Sequence, residues 1–217
     1  MKSSFSFQIL FEDADIVVVD KPAGRIVHPA PGHETGSLTE ELVKSRPTMA
    51  SVGSPERPGV VHRLDLETSG VMVFAKTRSA YLDLRRQFES HETVAKTYLA
   101  VLHGAPKEKT GTLDGPVGRD RLRAITHWTV LAKHGPLALV EFRIETGRMH
   151  QIRIHAAELG HPVVGDALYG NAAADRRLRT KPKRLLLHAV ELSFLHPSTK
   201  KRITFAAPPP SDIVYAG

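Results

Sequence analysis

The residues best suited to chemistry stand together at His62-Arg63-Leu64-Asp65, where a carboxylate lies two positions from a guanidinium. One ionised carboxylate can attack an electrophilic carbon or stabilise positive charge developing at a sugar, without metal or redox help. An Arg–Asp pair at a hairpin mouth is more often an ordinary surface ion pair, so the surrounding string matters more than the pair. Two basic clusters add a second kind of signal. One is Arg119-Asp120-Arg121 with Arg123; the other runs from Arg176 to Arg184 and contains no acidic residue. Each alone reads as a solvated loop, but Lys plus Arg exceed Asp plus Glu by 30 to 23, for a net charge of +7. That balance suits a polyanionic partner.

The elements that position these groups are visible in the hydrophobic pattern. Pro58-Gly59 breaks the chain, Val60-Val61 and Val71-Met72-Val73-Phe74-Ala75 flank the polar residues, and the whole reads as strand, loop, strand. Upstream, Ile16-Val17-Val18-Val19 ends at Lys21-Pro22-Ala23-Gly24, a buried strand and a turn. Ser37 and Glu40 form a capping box, which predicts a helix over 38–45. Ser79 is placed to cap a second helix running to about His91, with Tyr81, Leu84 and Phe88 on one face. Strands are expected over 94–102, 125–131, 139–146, 185–194 and 201–207, with a hairpin turn at Gly135-Pro136. The stretch from His150 to Gly160 reads as a glycine-terminated helix, with a strand as the competing reading. Many strands with about three helices indicate an α+β fold on a large, mainly antiparallel sheet.

The full string HRLDLETSG, residues 62–70, resembles the signature of the RluA-type RNA pseudouridine synthases, whose pattern is HRLDxxTSG. Further strings agree in order: Asp20 to Gly24 (DKPAG), Lys96-Thr97-Tyr98, Thr146 to His155 (TGRMHQIRIH), Gly165 to Gly170 (GDALYG) and Leu186-Leu187-His188-Ala189. They span roughly residues 11–209, nearly the whole chain. The resemblance implies the pseudouridine synthase fold, a curved sheet flanked by helices with a central RNA-binding cleft. It also implies a single catalytic domain over 1–217, and isomerisation of uridine in a ribosomal or transfer RNA stem-loop.

By the same resemblance Asp65 is the catalytic carboxylate. A buried carboxylate needs a cationic neighbour to stay charged, and Arg153 is implied as that neighbour, in a bidentate pair. Tyr98 is implied to stack on the target base and Leu187 to cover the base's other face; the plain alternative for both is core packing. Base stacking contributes about 1–3 kcal/mol, against a few kcal/mol to flip a nucleotide out of its helix. Arg63 is implied to fill the vacated space or hold the flipped backbone. His62, Arg148 and Gln151 are expected to touch RNA or order the loops. His62, His150, His155 and His188 show no carboxylate–histidine spacing of a zinc site, so no metal is expected. The reaction implied keeps uracil in the site and calls for no cofactor.

The chain departs from the family's pattern at Met149, where threonine is common, and in a short segment over 118–126. By the resemblance, a bare catalytic domain is expected, without the helical RNA-binding domain that often precedes such a domain. With no cysteine, no apolar run near the ~20 residues of a membrane span and no secretory h-region, a cytoplasmic monomer is expected. Two other classes stay open. A non-catalytic RNA-binding or ribosome-assembly factor would have no need of a buried acid. A hydrolase would call for a second, opposed carboxylate.

Overall fold

The computed structural model describes residues 6–118 and 120–214, so Arg119 of the first basic cluster lies outside the described residues. The chain divides into two compact units, one running up to Val94 and including Glu191–Ala207, the other comprising Ala95–Val190 and the segment from Pro208. In chain order, unit 1 contributes strands β1 (Gln8–Glu12) and β2 (Ile16–Lys21), helix α1 (Leu38–Ser45), a 3-10 turn (Pro47–Ser51), the two-residue strands β3 (Gly53–Ser54) and β4 (Arg57–Pro58), β5 (Ser69–Ala75) and helix α2 (Arg78–Ser90). Unit 2 contributes β6 (Ala95–His103), β7 (Thr110–Val117), β8 (Leu122–His134), β9 (Leu137–Ile144) and helices α3 (Gln151–Glu158) and α4 (Ala172–Arg177). Strand β10 (Leu187–Leu195) is shared, its first half in unit 2 and its second in unit 1; β11 (Arg202–Ala206) belongs to unit 1 and α5 (Ser211–Val214) to unit 2.

In unit 1 the strand order is β1-β2-β5 followed by β10, with β11 also paired to β10. Ile16, Val17, Val18 and Val19 are fully buried, as is most of β5, because both faces of these strands are covered and alternation is not needed. Antiparallel pairing of β2 with β5 sets Lys21 opposite Gly70. Helix α1 has the expected capping box at Ser37 and Glu40. Helix α2 is capped by Thr77, not Ser79, and ends at His91 in the left-handed conformation. Leu84 and Phe88 are buried, while Tyr81 is only half-buried.

In unit 2 the order is β10-β6-β9-β8-β7. The pairs β6–β9, β8–β9 and β7–β8 are antiparallel, and Gly135-Pro136 makes the β8–β9 turn. Strand β7 (TGTLDGPV) has two glycines and a proline and lies at the sheet edge, where a missing ladder donor at Pro116 is tolerated. The residues 150–160 form a helix, as expected, but it starts at Gln151. His150 precedes it in a left-handed conformation, φ 55°. The fold is α+β, with helices flanking a large sheet.

Candidate active site

Unit 1 carries Asp65, Arg63 and His62 on the irregular stretch between Val60 and β5. Val60 forms a single antiparallel bridge to Phe74, so the expected upstream strand is reduced to one residue. Asp65 is half-buried and Arg63 exposed. The loop is fixed by Lys21, which the sequence marks only as the start of the turn after the first buried strand. Lys21 is 0% exposed, and its Nζ donates to the carbonyls of Leu66 at 2.8 Å, Thr68 at 2.7 Å and Pro22 at 3.1 Å. The backbone N–H of Gly24 also donates to Leu66 O at 2.9 Å, and that of Thr68 to Asp65 O at 3.1 Å. An ammonium has three donors and no acceptor, so here it gathers carbonyls and pins the turn directly after Asp65. The register that places Lys21 opposite Gly70 explains how it reaches that turn.

Contacts to β5 and α2 help to orient His62. Its Nε2 accepts from the backbone N–H of Val73 at 3.1 Å, and its ring stacks on Phe88 with centroids 4.4 Å apart. It is therefore a supported wall residue. His62 and Arg63 line a cavity of about 560 Å³ together with His28, Arg57, Tyr81 and Arg85. Burial, with the nearby charges of Arg57 and Arg63, pushes the His28 imidazole below its usual range. Such a basic recess favours an anion.

Unit 2 carries Tyr98, Arg153, Leu187, Arg148 and Gln151. Tyr98 in β6 and Leu187 at the start of β10 are both buried. Arg153 is 8% exposed and forms its bidentate pair with Asp166: Nε donates to Oδ2 at 2.7 Å and Nη2 to Oδ1 at 2.8 Å. Asp166 is 4% exposed and also accepts the N–H groups of Leu168 at 2.9 Å and Tyr169 at 3.0 Å. Burial alone would raise its pKa, but the Arg153 guanidinium and the two backbone donors outweigh it and hold the carboxyl below the usual range. Tyr169 adds a cation–π contact, its ring centroid 5.3 Å from Arg153 Cζ, and its hydroxyl lies 3.1 Å from His150 Nδ1. The Arg153 guanidinium is thus held on an edge and a face. Asp166 sits in the GDALYG string over 165–170, and its membership of that string is the one sequence feature that sets it apart from other aspartates.

Gln151 is 3% exposed with both ends of its amide used. Nε2 donates to Ile125 O and Thr126 Oγ1, each at 2.9 Å; Oε1 accepts from Thr146 Oγ1 at 2.7 Å and Arg148 N at 3.0 Å. It ties the 146–148 loop to β8. Arg148 donates through Nε to Arg123 O at 3.3 Å. No group of three or more possible metal-ligating side chains occurs, and no helix is long and apolar enough to cross a membrane, among the described residues.

The family model described as RNA pseudouridylate synthase matches residues 15–158. An uncharacterised RNA pseudouridine synthase of Synechocystis is 40% identical over 94% of this chain and 65% of its own length. One from Bacillus subtilis, YlyB, is 39% identical over 94% of this chain and 70% of its own length. Ribosomal large subunit pseudouridine synthase D of Xanthomonas campestris is 41% identical over 94% and 66%. The chain thus spans about two thirds of the length of these relatives. The solved structure of human RNA pseudouridylate synthase domain containing 4 superposes with a TM-score of 0.77 at 26% identity, covering 95% of this chain and 90% of that one. This chain belongs to the RluA-type RNA pseudouridine synthase family.

Proposed function

We propose that the protein isomerises uridine to pseudouridine at specific positions of ribosomal or transfer RNA, with Asp65 as the catalytic carboxylate. The observation that carries this reading is the presentation of Asp65: a half-buried acid in the family's signature string, on a turn pinned by a fully buried ammonium. Catalytic groups must be held in place before substrate arrives, since small displacements cost orders of magnitude in rate. The names of the ribosomal large subunit relatives favour ribosomal RNA as the substrate.

The reaction breaks the bond between C1′ of the ribose and N1 of uracil and makes one from C1′ to C5; the hydrogen on C5 is then lost and N1 ends protonated. Asp65 attacks, or stabilises the charge that develops as the first bond breaks. Arg153 is the cationic partner of that carboxylate. Its Nε and Nη2 donate to Asp166, which holds the guanidinium in a fixed orientation. Tyr98 stacks on the everted uracil and its hydroxyl takes the C5 proton; Leu187 packs on the other face. Arg63 and His62 meet the flipped backbone, and Gln151 keeps the Arg148 loop ordered for RNA.

The test is to incubate wild type and Asp65→Asn with ribosomal and transfer RNA transcripts and map pseudouridine. The expected outcome is product at one or a few sites, reduced by at least about 10³-fold in the variant, roughly 4 kcal/mol of barrier. Product at the wild-type rate from the variant contradicts the role of Asp65. Binding without product favours a non-catalytic RNA-binding protein, and release of free uracil a hydrolase.

A further inference from the structure

Lys96 is the second residue of β6 and only 7% exposed. It shares a strand face with Tyr98, two positions on. Ile144, the last residue of β9, lies opposite it, and the chain then passes through Thr146-Gly147-Arg148. Lys96 Nζ donates to Thr146 O at 3.3 Å, its only hydrogen bond among the described residues, although an ammonium has three donors. A Cβ built on Gly147 would come 3.5 Å from that nitrogen; with glycine there, at an exposed position, one flank of the ammonium is left uncovered. The nearby charge of interest is Arg148, and it has the same sign. Burial first, and Arg148 second, press Lys96 down to about 8. Neither cation has a carboxylate at ion-pair distance among the described residues. The other deeply buried cations of the molecule are better matched, Arg153 by Asp166 and Lys21 by three carbonyls.

Two like charges, one of them buried with donors to spare, form an incomplete arrangement that an anion would complete. We propose that Lys96 and Arg148 make a seat for one phosphodiester group of the RNA, beside the nucleotide that stacks on Tyr98. This inference rests on the proposed RNA isomerase reading. A full anion fits better than a uracil carbonyl, because it relieves the repulsion between the two cations and accepts charge-assisted bonds from both. Lysine suits the role as a compact point charge on a long stem, whereas Arg148 approaches from the loop. The consequence is a site that reads no base and fixes where the flipped nucleotide's backbone lies.

The test uses the full chain with Lys96→Met and Lys96→Arg. Binding of oligouridylate and of a large-subunit ribosomal RNA stem-loop is measured across a salt series, alongside kcat and KM on the stem-loop. Lys96→Met is expected to weaken binding of both RNAs by about ten-fold and to make the salt slope shallower by about 0.7 to 0.9. KM rises and kcat is kept; Lys96→Arg restores the slope. An unchanged slope overturns the proposal, as does a fall in kcat with binding intact, which would put Lys96 on the base. If Lys96→Met does not fold, Arg148→Gln is read for the same loss of slope. Oligouridylate binding requires no turnover. A wild type that makes no pseudouridine would therefore defeat the proposed activity while leaving the phosphate seat to be judged by its own slope.

Discussion

Lys21 and Gln151 perform the same task in the two units by different chemistry. Each is buried, and each fixes a loop carrying residues assigned to the substrate, the Asp65 turn in one case and the Arg148 loop in the other. Lys21 only donates, so it draws three carbonyls toward one point. Gln151 donates and accepts, so it links carbonyl and hydroxyl acceptors on β8 to donors in the 146–148 loop. A cation concentrates the backbone around itself, whereas an amide stitches two segments together. The ammonium gives a tighter point of fixation, but its removal takes a donor from three carbonyls at once, of which Leu66 O keeps the Gly24 N–H.

Substitutions that separate charge from connectivity sharpen the contrast. The largest loss is expected at the ion pair: Asp166→Asn leaves the buried Arg153 charge poorly matched, which costs about 3–5 kcal/mol, read by denaturant unfolding. Next comes Lys21→Met, which leaves the Thr68 carbonyl and part of the Leu66 demand unmet, for a loss of about 2–4 kcal/mol. Its activity is expected to fall even at temperatures where the variant is folded, because the Asp65 turn loosens. Gln151→Leu should cost less, about 1–3 kcal/mol, with a weaker effect on turnover than on RNA binding. If Gln151→Leu harms turnover more than Lys21→Met does, the roles assigned to the two loops are reversed.

The smallest effect concerns pH and belongs to the amide network alone. Thr126 Oγ1 accepts from Gln151 and lies 2.8 Å from Nδ1 of His155, which is fully buried, and His155 Nε2 has no hydrogen-bond partner. Burial is the main cause that presses this imidazole below its ordinary value of about 6.5. As pH falls through that value, the unfolded chain takes up the proton before the folded one, so stability falls, by at most about 1.4 kcal/mol per pH unit. His155→Gln should flatten that limb of the unfolding midpoint against pH. An unchanged limb means that other groups govern it.

The strands with plain alternation or an unbroken apolar run were legible in the sequence to within a few residues; β8 and β9 are examples, as is α1 with its capping box. Strand β7 was not, because Gly111, Gly115 and Pro116 read as loop and only the sheet edge accommodates them. The start of α2 was misplaced by two residues because Thr77 and Ser79 are both competent caps and the side chain of Thr77 is the one that accepts Ala80 N–H. At the site, the signature string singled out Asp65, Arg63 and His62. The side chains that hold the site were hidden for a different reason. Lys21 meets Leu66 and Thr68 across 45 and 47 positions, and no periodicity encodes that reach. Asp166 lies only 13 positions from Arg153, yet apart from its motif string nothing around it distinguishes a buried partner from a solvated turn residue.

In the proposed reaction Asp65 acts on a uridine drawn out against Tyr98, with Arg153 as the cation that keeps the acid charged. A crystal structure of the Asp65→Asn variant bound to a uridine-containing stem-loop tests it most directly. The expected result is the everted uracil between Tyr98 and Leu187, with the residue 65 side chain at hydrogen-bond distance from the nucleotide. A uridine still stacked in the RNA, or residue 65 turned away from the nucleotide, would contradict it.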